Sequence, residues 1–285
     1  MDNSRQVAFV TGASRGIGKA VAVHLAREGY DVAIGARTLE EGEAREHSST
    51  VKKSNTSPLP GSLQSTAALI EAEGQRALSV YLDLLDLPSL GTAVATVLER
   101  WGRVDVLVNN ARYIGPGHMD HFLDAPIELI EKQVHANAIV PLHLMRLVLP
   151  QMIARGSGLV LNMTSGCAVS DPPAAAGEGG WALGYGMSKA AMHRQVGILS
   201  RELAGTGVNF VNIEPGLIGT ERMALDMAEF GFDASTMTPP DVIGAVAAWL
   251  ASTPDVEKHN GRTIDGQETC RELSLLAGWP AAVGG

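Results

Sequence analysis

The chain has 285 residues, of which 45% are apolar and 32 are glycine, and this size and composition are typical of one globular α/β domain over residues 1–285. The net charge of −9 argues against nucleic acid as a partner, and we expect neither a signal peptide nor an apolar run long enough to span a membrane. Two cysteines, Cys167 and Cys270, are too few for a disulfide framework, which favours the cytoplasm.

The N-terminal segment predicts a strand, a glycine-rich turn and a helix. Residues 7–10 form a short apolar run, and residues 19–28 have a helical pattern. The turn between them has the sequence Thr11-Gly12-Ala13-Ser14-Arg15-Gly16-Ile17-Gly18. Its backbone N–H groups and the helix dipole would face a pyrophosphate, which a Cβ at the glycines would obstruct. A glycine-rich turn without a ligand is the alternative. The predicted dinucleotide contacts in this turn are Gly12, Ser14, Arg15, Gly16, Ile17 and Gly18.

Strands and helices alternate along the rest of the chain. Further strands are predicted at residues 31–35, 76–81, 104–108, 159–163, 208–213 and 261–264. Helices are predicted at residues 89–101, 126–154 and 181–204. This alternation predicts a parallel sheet of about seven strands with helices on both faces, a single-domain doubly wound fold of the Rossmann type.

Two segments interrupt the alternation. Residues 40–61 are a polar loop insertion after the second strand, on the side where a cofactor's adenosine would lie. Lys52 and Lys53 could reach a ribose phosphate there, or the segment could be a solvated, mobile loop. Residues 166–181 are a second insertion, which we place at the substrate entrance.

The end of the second strand bears on cofactor choice. NAD-binding folds usually carry an acidic residue there, about 20 residues past the glycines, to bind the ribose 2′-hydroxyl. This chain has Arg37 at that point, and Arg15 lies in the glycine turn. Two guanidinium groups can clamp a 2′-phosphate, so NADP(H) is favoured over NAD(H). The alternative is that both arginines are surface residues paired with Glu40 or Glu41.

Tyr185 and Lys189 are four residues apart in the predicted helix 181–204, so they share one helix face. An ammonium beside a phenol favours the phenolate, and we therefore expect Lys189 to lower the Tyr185 pKa. Such a pair could protonate or deprotonate an oxygen while a second reagent handles a hydride.

These motifs together resemble the short-chain dehydrogenase/reductase family, in the subgroup with Thr-Gly-x-x-x-Gly-x-Gly and Tyr-x-x-x-Lys. Further matches follow in the family's order over about residues 6–266: Asp83, Asn109-Asn110-Ala111, Asn137, Ser165 and Pro215-Gly216-x-x-x-Thr220. The resemblance implies an oxidoreductase that interconverts a secondary alcohol and a ketone.

The resemblance also implies roles for four catalytic residues. Tyr185 would give its proton to the carbonyl oxygen, and Ser165 would hydrogen-bond that oxygen. Lys189 would also bind the nicotinamide ribose, and Asn137 would hold a water in a proton relay. Asn137 could instead be a core asparagine bonded to backbone.

The remaining cofactor contacts implied by the resemblance are Asp83, Leu84, Asn110, Ala111, Pro215, Gly216, Ile218 and Thr220, together with Tyr185 and Lys189. Thr220 is also a common type of helix N-cap. Arg112 stands where the family usually has glycine, and Glu214 stands where asparagine is frequent.

Substrate and assembly are less constrained. The segments that should recognise the substrate contain Tyr113, Ile114, Trp181, Leu183, Leu217, Ile218, Met223, Met227, Phe230 and Phe232, which favour a small apolar carbonyl compound or alcohol. His118-Met119-Asp120-His121 suits a substrate-side loop better than a metal site. The resemblance implies a homodimer or homotetramer. The alternative function is a catalytically silent NADP-binding sensor or scaffold.

Overall fold

The structure is a computed structural model that describes residues 5–224 and 237–280. The strands of the described residues are β1 (Val7–Thr11), β2 (Asp31–Ala36), β3 (Ala77–Tyr81), β4 (Val106–Asn109), β5 (Gly158–Met163), β6 (Val208–Glu214) and β7 (Thr263–Asp265). Their α-helices are α1 (Gly16–Arg27), α2 (Leu63–Ala72), α3 (Leu87–Trp101), α4 (Ile127–Val134), α5 (Val140–Arg155), α6 (Leu183–Glu202), α7 (Asp241–Ser252) and α8 (Gly266–Glu272).

The strands form one parallel sheet of seven in the order β3-β2-β1-β4-β5-β6-β7. Ala8 of β1 is paired with Val32 of β2 on one side and with Val106 of β4 on the other. The chain order reverses at this point, and a crevice therefore opens at the carboxyl ends of the strands, where doubly wound folds bind ligands. The predicted Rossmann-type fold is confirmed.

Both faces of the sheet are covered by helices. On one face, Ala8 and Val10 pack into a core with residues of α1, α2 and α7. On the other face, Val7 and Phe9 pack against α3, α5 and α6. All five residues of β1 are buried, as expected for a parallel strand covered on both sides.

The predicted helix 126–154 is interrupted in its centre. One turn of π-helix, His135–Ile139, separates α4 from α5, and it contains Asn137. A π turn adds a residue to the local repeat and is often found at functional sites. Apolar periodicity could not reveal it, because the flanking residues keep their helical pattern.

Taken together, the helical stretch Ile127–Arg155 is 29 residues long and, by length and composition alone, could cross a membrane. Our expectation that no run reaches that length is therefore wrong. Half of its most apolar window is buried by the rest of the protein, as in a helix that packs into a core.

Helix α2 was not among the predicted elements. It begins directly after the polar segment 40–61, where Ser62 and Ser65 form a reciprocal capping box. Leu63 and Ile70 are fully buried against the sheet, so tertiary packing stabilises a helix that follows a long polar run.

Candidate active site

A cavity of about 990 Å³ opens at the carboxyl ends of the strands. Every predicted cofactor contact lines it, and so do three of the four predicted catalytic residues: Ser165, Tyr185 and Lys189. Asn137 is not among the lining residues. The chain segments that the sequence analysis assigned to one site therefore meet in space.

The glycine turn is shaped for close approach. A Cβ on Gly18 would lie 2.3 Å from the Gly12 carbonyl oxygen and 2.5 Å from the Asn110 Nδ2 atom, which no side chain could tolerate. Gly12 itself has a φ of +70°, in the left-handed region that favours glycine. Asn110 fastens the turn, because its Nδ2 donates to the Thr11 carbonyl at 2.9 Å. The turn is therefore a rigid cradle of backbone atoms against the cavity.

The N-terminus of α1 has an anionic side chain beside it. The Gly16 N–H donates to Glu221 Oε2 at 2.8 Å, and the Lys19 ammonium pairs with Glu221 Oε1 at 2.5 Å. A carboxylate at this position is favoured by the free N–H groups and the helix dipole. The contact places an anionic group at the helix end that the sequence analysis assigned to a pyrophosphate.

Arg15 and Arg37 both face the cavity, and Arg15 is held in place by the polar segment 40–61. Its Nε donates to the Pro60 carbonyl at 2.8 Å, and its Nη2 donates to the Gly61 carbonyl at 2.6 Å. Burial lowers the pKa of Arg15 below its usual value, while Glu221 and Glu41 oppose that change. Arg37 is half-buried, and its own carbonyl accepts from Arg45 at 3.0 Å.

Residues 40–61, called the strap from here on, cross the cleft and dock on the opposite side. The Met119 N–H donates to the Ser49 carbonyl at 2.8 Å. The buried Asp120 carboxylate accepts from Thr50 Oγ1 at 2.6 Å and from the Val51 N–H at 2.9 Å. The strap is thus ordered by specific bonds and forms one wall of the cavity, which differs from the solvated loop that its composition allowed.

Of the two strap lysines, Lys52 is 74% exposed and pairs with Asp124 at 3.6 Å. It is not among the residues that line the cavity, and neither is Lys53. The strap instead contributes Arg45, Glu46, His47 and Leu59 to the cavity wall. None of these four was predicted, because their position depends on contacts with residues about 70 positions away.

Tyr185 and Ser165 both line the cavity. The His118 ring packs edge-on against the Tyr185 ring at a centroid distance of 4.6 Å. Burial raises the Tyr185 pKa above its usual value of 10.0, and the Arg112 guanidinium partly opposes this effect. The predicted lowering of this pKa by Lys189 is therefore wrong in direction, because desolvation of the phenolate outweighs the nearby cations.

Lys189 is buried beside the end of β5. Its Nζ donates to the Met163 carbonyl at 2.7 Å. Its pKa is lowered from 10.5 to about 8, chiefly by burial and in part by Arg112, while Cys167 opposes both effects. The ammonium thus points towards the carboxyl edge of the sheet, where the cavity lies.

Asn137 uses both ends of its amide within the protein. Its Oδ1 accepts from the Tyr113 N–H at 2.6 Å, and its Nδ2 donates to Ser188 Oγ at 2.9 Å. Ser188 in turn donates to the Tyr185 carbonyl at 2.8 Å. These contacts match the alternative of a buried asparagine bonded to backbone, and they tie the π turn to the helix that carries Tyr185.

Comparisons with known proteins agree with this arrangement. A family model described as short chain dehydrogenase matches residues 6–59 and 54–229. The chain is 34% identical over 221 residues to L-rhamnose 1-dehydrogenase (NAD(P)(+)) from Sphingomonas sp. (strain SKA58), covering 78% of this chain and 76% of that one. This chain belongs to the short-chain dehydrogenase/reductase family.

Two further relatives extend the comparison. Cyclohexanol dehydrogenase from Rhodococcus sp. (strain TK6) is 30% identical over 254 residues, or 85% of this chain and 87% of that one. The solved structure of a metagenomic short-chain oxidoreductase in complex with NADP has a TM-score of 0.67 at 28% identity, and the match covers 91% of this chain and 95% of that one. This short-chain dehydrogenase is thus an oxidoreductase of CH–OH or carbonyl groups that uses a nicotinamide cofactor.

The two departures from the family motifs both lie at this site. Glu214 Oε1 accepts from the Gly166 N–H at 2.9 Å and from the Gly216 N–H at 3.0 Å, so it joins the loops that follow β5 and β6. The guanidinium carbon of Arg112 lies 5.9 Å from the centre of the Tyr185 ring.

Thr220 Oγ1 accepts from the Met223 N–H at 3.2 Å, the contact expected of an N-cap.

The apolar residues predicted for the substrate side are mostly in place. Those that line the cavity are Tyr113, Ile114, Trp181, Leu217, Ile218 and Met223. Leu183 does not line it and is 47% exposed at the start of α6. Met227, Phe230 and Phe232 lie outside the described residues. His118, which the sequence analysis assigned to a substrate-side loop, also lines the cavity, whereas Arg222 was not singled out because nothing local marks it.

Proposed function

We propose that this short-chain dehydrogenase is an NADP(H)-dependent carbonyl reductase that interconverts an apolar ketone and its secondary alcohol. The observation that carries the proposal is the placement of Tyr185 and Ser165 in the same cavity as Arg15 and Arg37. One cavity thus holds a proton donor for the substrate and two cations suited to a ribose phosphate.

The residues present fit the dinucleotide. The rigid cradle around Gly18 leaves room for close approach of a pyrophosphate, and Asp83 and Leu84 line the cavity where an adenine would lie. Arg37 would hold the 2′-phosphate with the planar donors of its guanidinium group. Arg15 would add a contact from its Nη1, because its Nε and Nη2 already donate to carbonyls of the strap. When bound, the nicotinamide supplies or accepts the hydride.

Tyr185 would donate the proton to the substrate oxygen. Because burial raises its pKa above 10.0, the phenol keeps its proton at neutral pH and is ready to act as a general acid. Ser165 would hydrogen-bond the same oxygen and fix its position relative to Tyr185. The protonation state therefore favours carbonyl reduction as the direction for which the free site is prepared.

Lys189 and Asn137 would support Tyr185 in different ways. The Lys189 ammonium would bind a ribose hydroxyl and stabilise the phenolate once the proton has left. Asn137 would hold the helix of Tyr185 in position through Ser188. Its amide is already engaged on both sides, so a positioning role agrees with its contacts better than a direct proton transfer does.

The test is oxidation of NADPH with a panel of ketones, followed by absorbance at saturating cofactor. We expect turnover of apolar cyclic or acyclic ketones, with NADPH preferred over NADH. Saturable NADPH binding without turnover of any carbonyl compound or alcohol would contradict the proposal and favour a silent sensor or scaffold.

A further inference from the structure

Arg112 places a cation where the family usually has glycine. It follows Asn110-Ala111 at the end of β4, lines the cavity and is half-buried. Its guanidinium carbon lies 5.9 Å from the centre of the Tyr185 ring, and its Nη1 donates a long hydrogen bond of 3.3 Å to the Tyr113 carbonyl. The guanidinium is therefore close to the proton donor and keeps hydrogen-bonding capacity towards the cavity.

The surrounding charges make this end of the cavity positive. Desolvation of the His118 ring lowers its pKa well below its usual value, and the nearby charges of Arg112, Arg222 and Lys189 lower it further. His118 is thus neutral at pH 7. The cations converge on the same volume in which the Tyr185 ring meets His118.

The nearby carboxylates do not offset these cations. Glu214 Oε1 is bonded to two glycine N–H groups at the floor of the site. Glu178 is 68% exposed at the rim, 3.9 Å from His121. Asp120 is occupied by the strap and by the Gly117 N–H. Among the described residues that line or adjoin this end of the cavity, each acid thus has other partners or faces solvent.

A wholly apolar substrate would displace water from the Arg112 guanidinium and offer no hydrogen-bond acceptor in its place, which costs free energy. An anionic group at that point would instead gain a charge-assisted bidentate contact. We propose that Arg112 binds an anionic group of the substrate, and that the preferred substrates are oxo acids with an apolar body and a carboxylate close to the reacting carbonyl. This inference rests on the proposed function and names the substrate class of that same site.

The test compares acids with their neutral esters. The two pairs are 2-oxo-4-phenylbutanoate with its ethyl ester and 4-oxopentanoate with its methyl ester, each measured as kcat/KM with NADPH. The variants are Arg112→Gln, Arg112→Lys and the control Arg100→Gln, which removes one exposed positive charge from the last turn of α3. A charge-assisted bidentate contact corresponds to an acid preference of about 10- to 100-fold.

We expect the natural protein and Arg100→Gln to prefer the acid in at least one pair by that factor. Arg112→Gln should lose the preference, and Arg112→Lys should keep part of it. The inference is overturned if neither acid is preferred, or if Arg112→Gln keeps the preference. Equal losses on acid and ester would assign Arg112 to tuning of Tyr185 alone and would also overturn it.

A binding measurement separates this inference from the proposed function. Calorimetry of 4-phenylbutanoate, which has the carboxylate and apolar body but no ketone, requires no turnover. With NADP⁺ saturating, we expect Arg112→Gln to weaken its binding at least tenfold while the NADP⁺ affinity stays within about twofold. Unchanged 4-phenylbutanoate binding would overturn the inference, whereas absence of turnover on every ketone would contradict only the proposed function.

Discussion

Tyr185 owes its protonation state to its surroundings more than to the lysine one turn away. The pair Tyr185 and Lys189 could be identified from spacing alone, but the direction of the Tyr185 pKa could not. Desolvation depends on the residues packed around the ring, among them His118, which comes from a loop after β4. Local sequence gives the identity of an acid–base group, while tertiary burial determines its pKa.

Replacing Tyr185 by phenylalanine should remove chemistry and leave the fold. The ring keeps its packing and loses only the hydroxyl, so kcat should fall by at least ~10²-fold with nearly unchanged NADPH affinity. Steady-state kinetics and fluorescence titration measure the two effects. Tyr81→Phe, at a 40% exposed tyrosine of β3, is the matched control and should behave as the natural protein. Near-normal turnover of Tyr185→Phe would remove Tyr185 from its proposed role.

The pH dependence of reduction should follow Lys189. Its buried ammonium has a pKa of about 8, lowered from 10.5, so it is charged below that pH and neutral above it. The proposed function needs the charged form, and Tyr185 retains its proton throughout this range because its pKa is raised. We expect kcat/KM for ketone reduction to be level from about pH 6 to 7.5 and to decrease above about pH 8.

The profile should be measured with one ketone in a constant-ionic-strength buffer series. Lys189→Met should have lower activity and lack the decrease near pH 8, because the titrating group is gone. A natural protein with constant kcat/KM up to pH 9.5 would contradict the assignment.

The preference for NADPH over NADH should depend on the charge of Arg37. Arg37→Asp replaces attraction for a 2′-phosphate by repulsion and provides an acceptor for a 2′-hydroxyl, so the preference should move towards NAD by about 2 kcal/mol, or roughly 30-fold. The ratio of kcat/KM for NADPH and NADH measures this. Arg100→Asp is the control for the altered net charge and should leave the ratio unchanged. A natural protein that already prefers NADH would refute the charge argument.

At the scale of elements, the features that could be predicted from the sequence are those determined by a local pattern of residues. The apolar run of β1 and the glycines of the turn after it are local signals, and the structure has a buried strand and a closely packed turn at these positions. The π turn His135–Ile139 and the docking of the strap are not local. The strap's polar composition is the same whether it is solvated or bonded to Asp120, so only the three-dimensional contacts decide between these states.

The strap should control how quickly the cofactor leaves. Asp120→Asn keeps the shape of the side chain but loses the charge that accepts from Thr50, Val51 and Gly117. We expect NADPH dissociation, measured by stopped-flow displacement, to become about tenfold faster or more. Asp124→Asn, at a carboxylate that pairs with the exposed Lys52, is the control and should have little effect. Equal dissociation rates in both variants would contradict a role for the strap.

At the scale of the whole molecule, the sheet and its helices could be predicted because parallel β-α alternation allows few topologies. The oligomeric state could not be predicted from the sequence pattern in the same way. The described part of α5 and α6 leaves Leu147, Ile153, Met187 and Ile198 at least 38% exposed. Apolar residues scattered on a surface are normal, so their number alone does not establish an interface.

We nevertheless expect assembly into a homodimer or homotetramer through these two helices. Light scattering should give two or four times the protomer mass at micromolar concentration, and Ile198→Glu should lower it by placing a charge in the interface. Leu69→Glu changes a similarly exposed leucine on α2 and is the matched control. A monomeric mass over the whole concentration range would refute the assembly.

The carboxylate of Glu221 has a consequence for the unliganded protein. It bonds the Gly16 N–H at the N-terminus of α1, and Lys19 balances its charge, so this helix end carries its own counter-ion. A backbone donor that would otherwise depend on a bound phosphate is thereby satisfied by the chain itself. The native conformation of this helix end therefore does not depend on a dinucleotide for that donor. A bound dinucleotide would add to the stability of the native state by mass action.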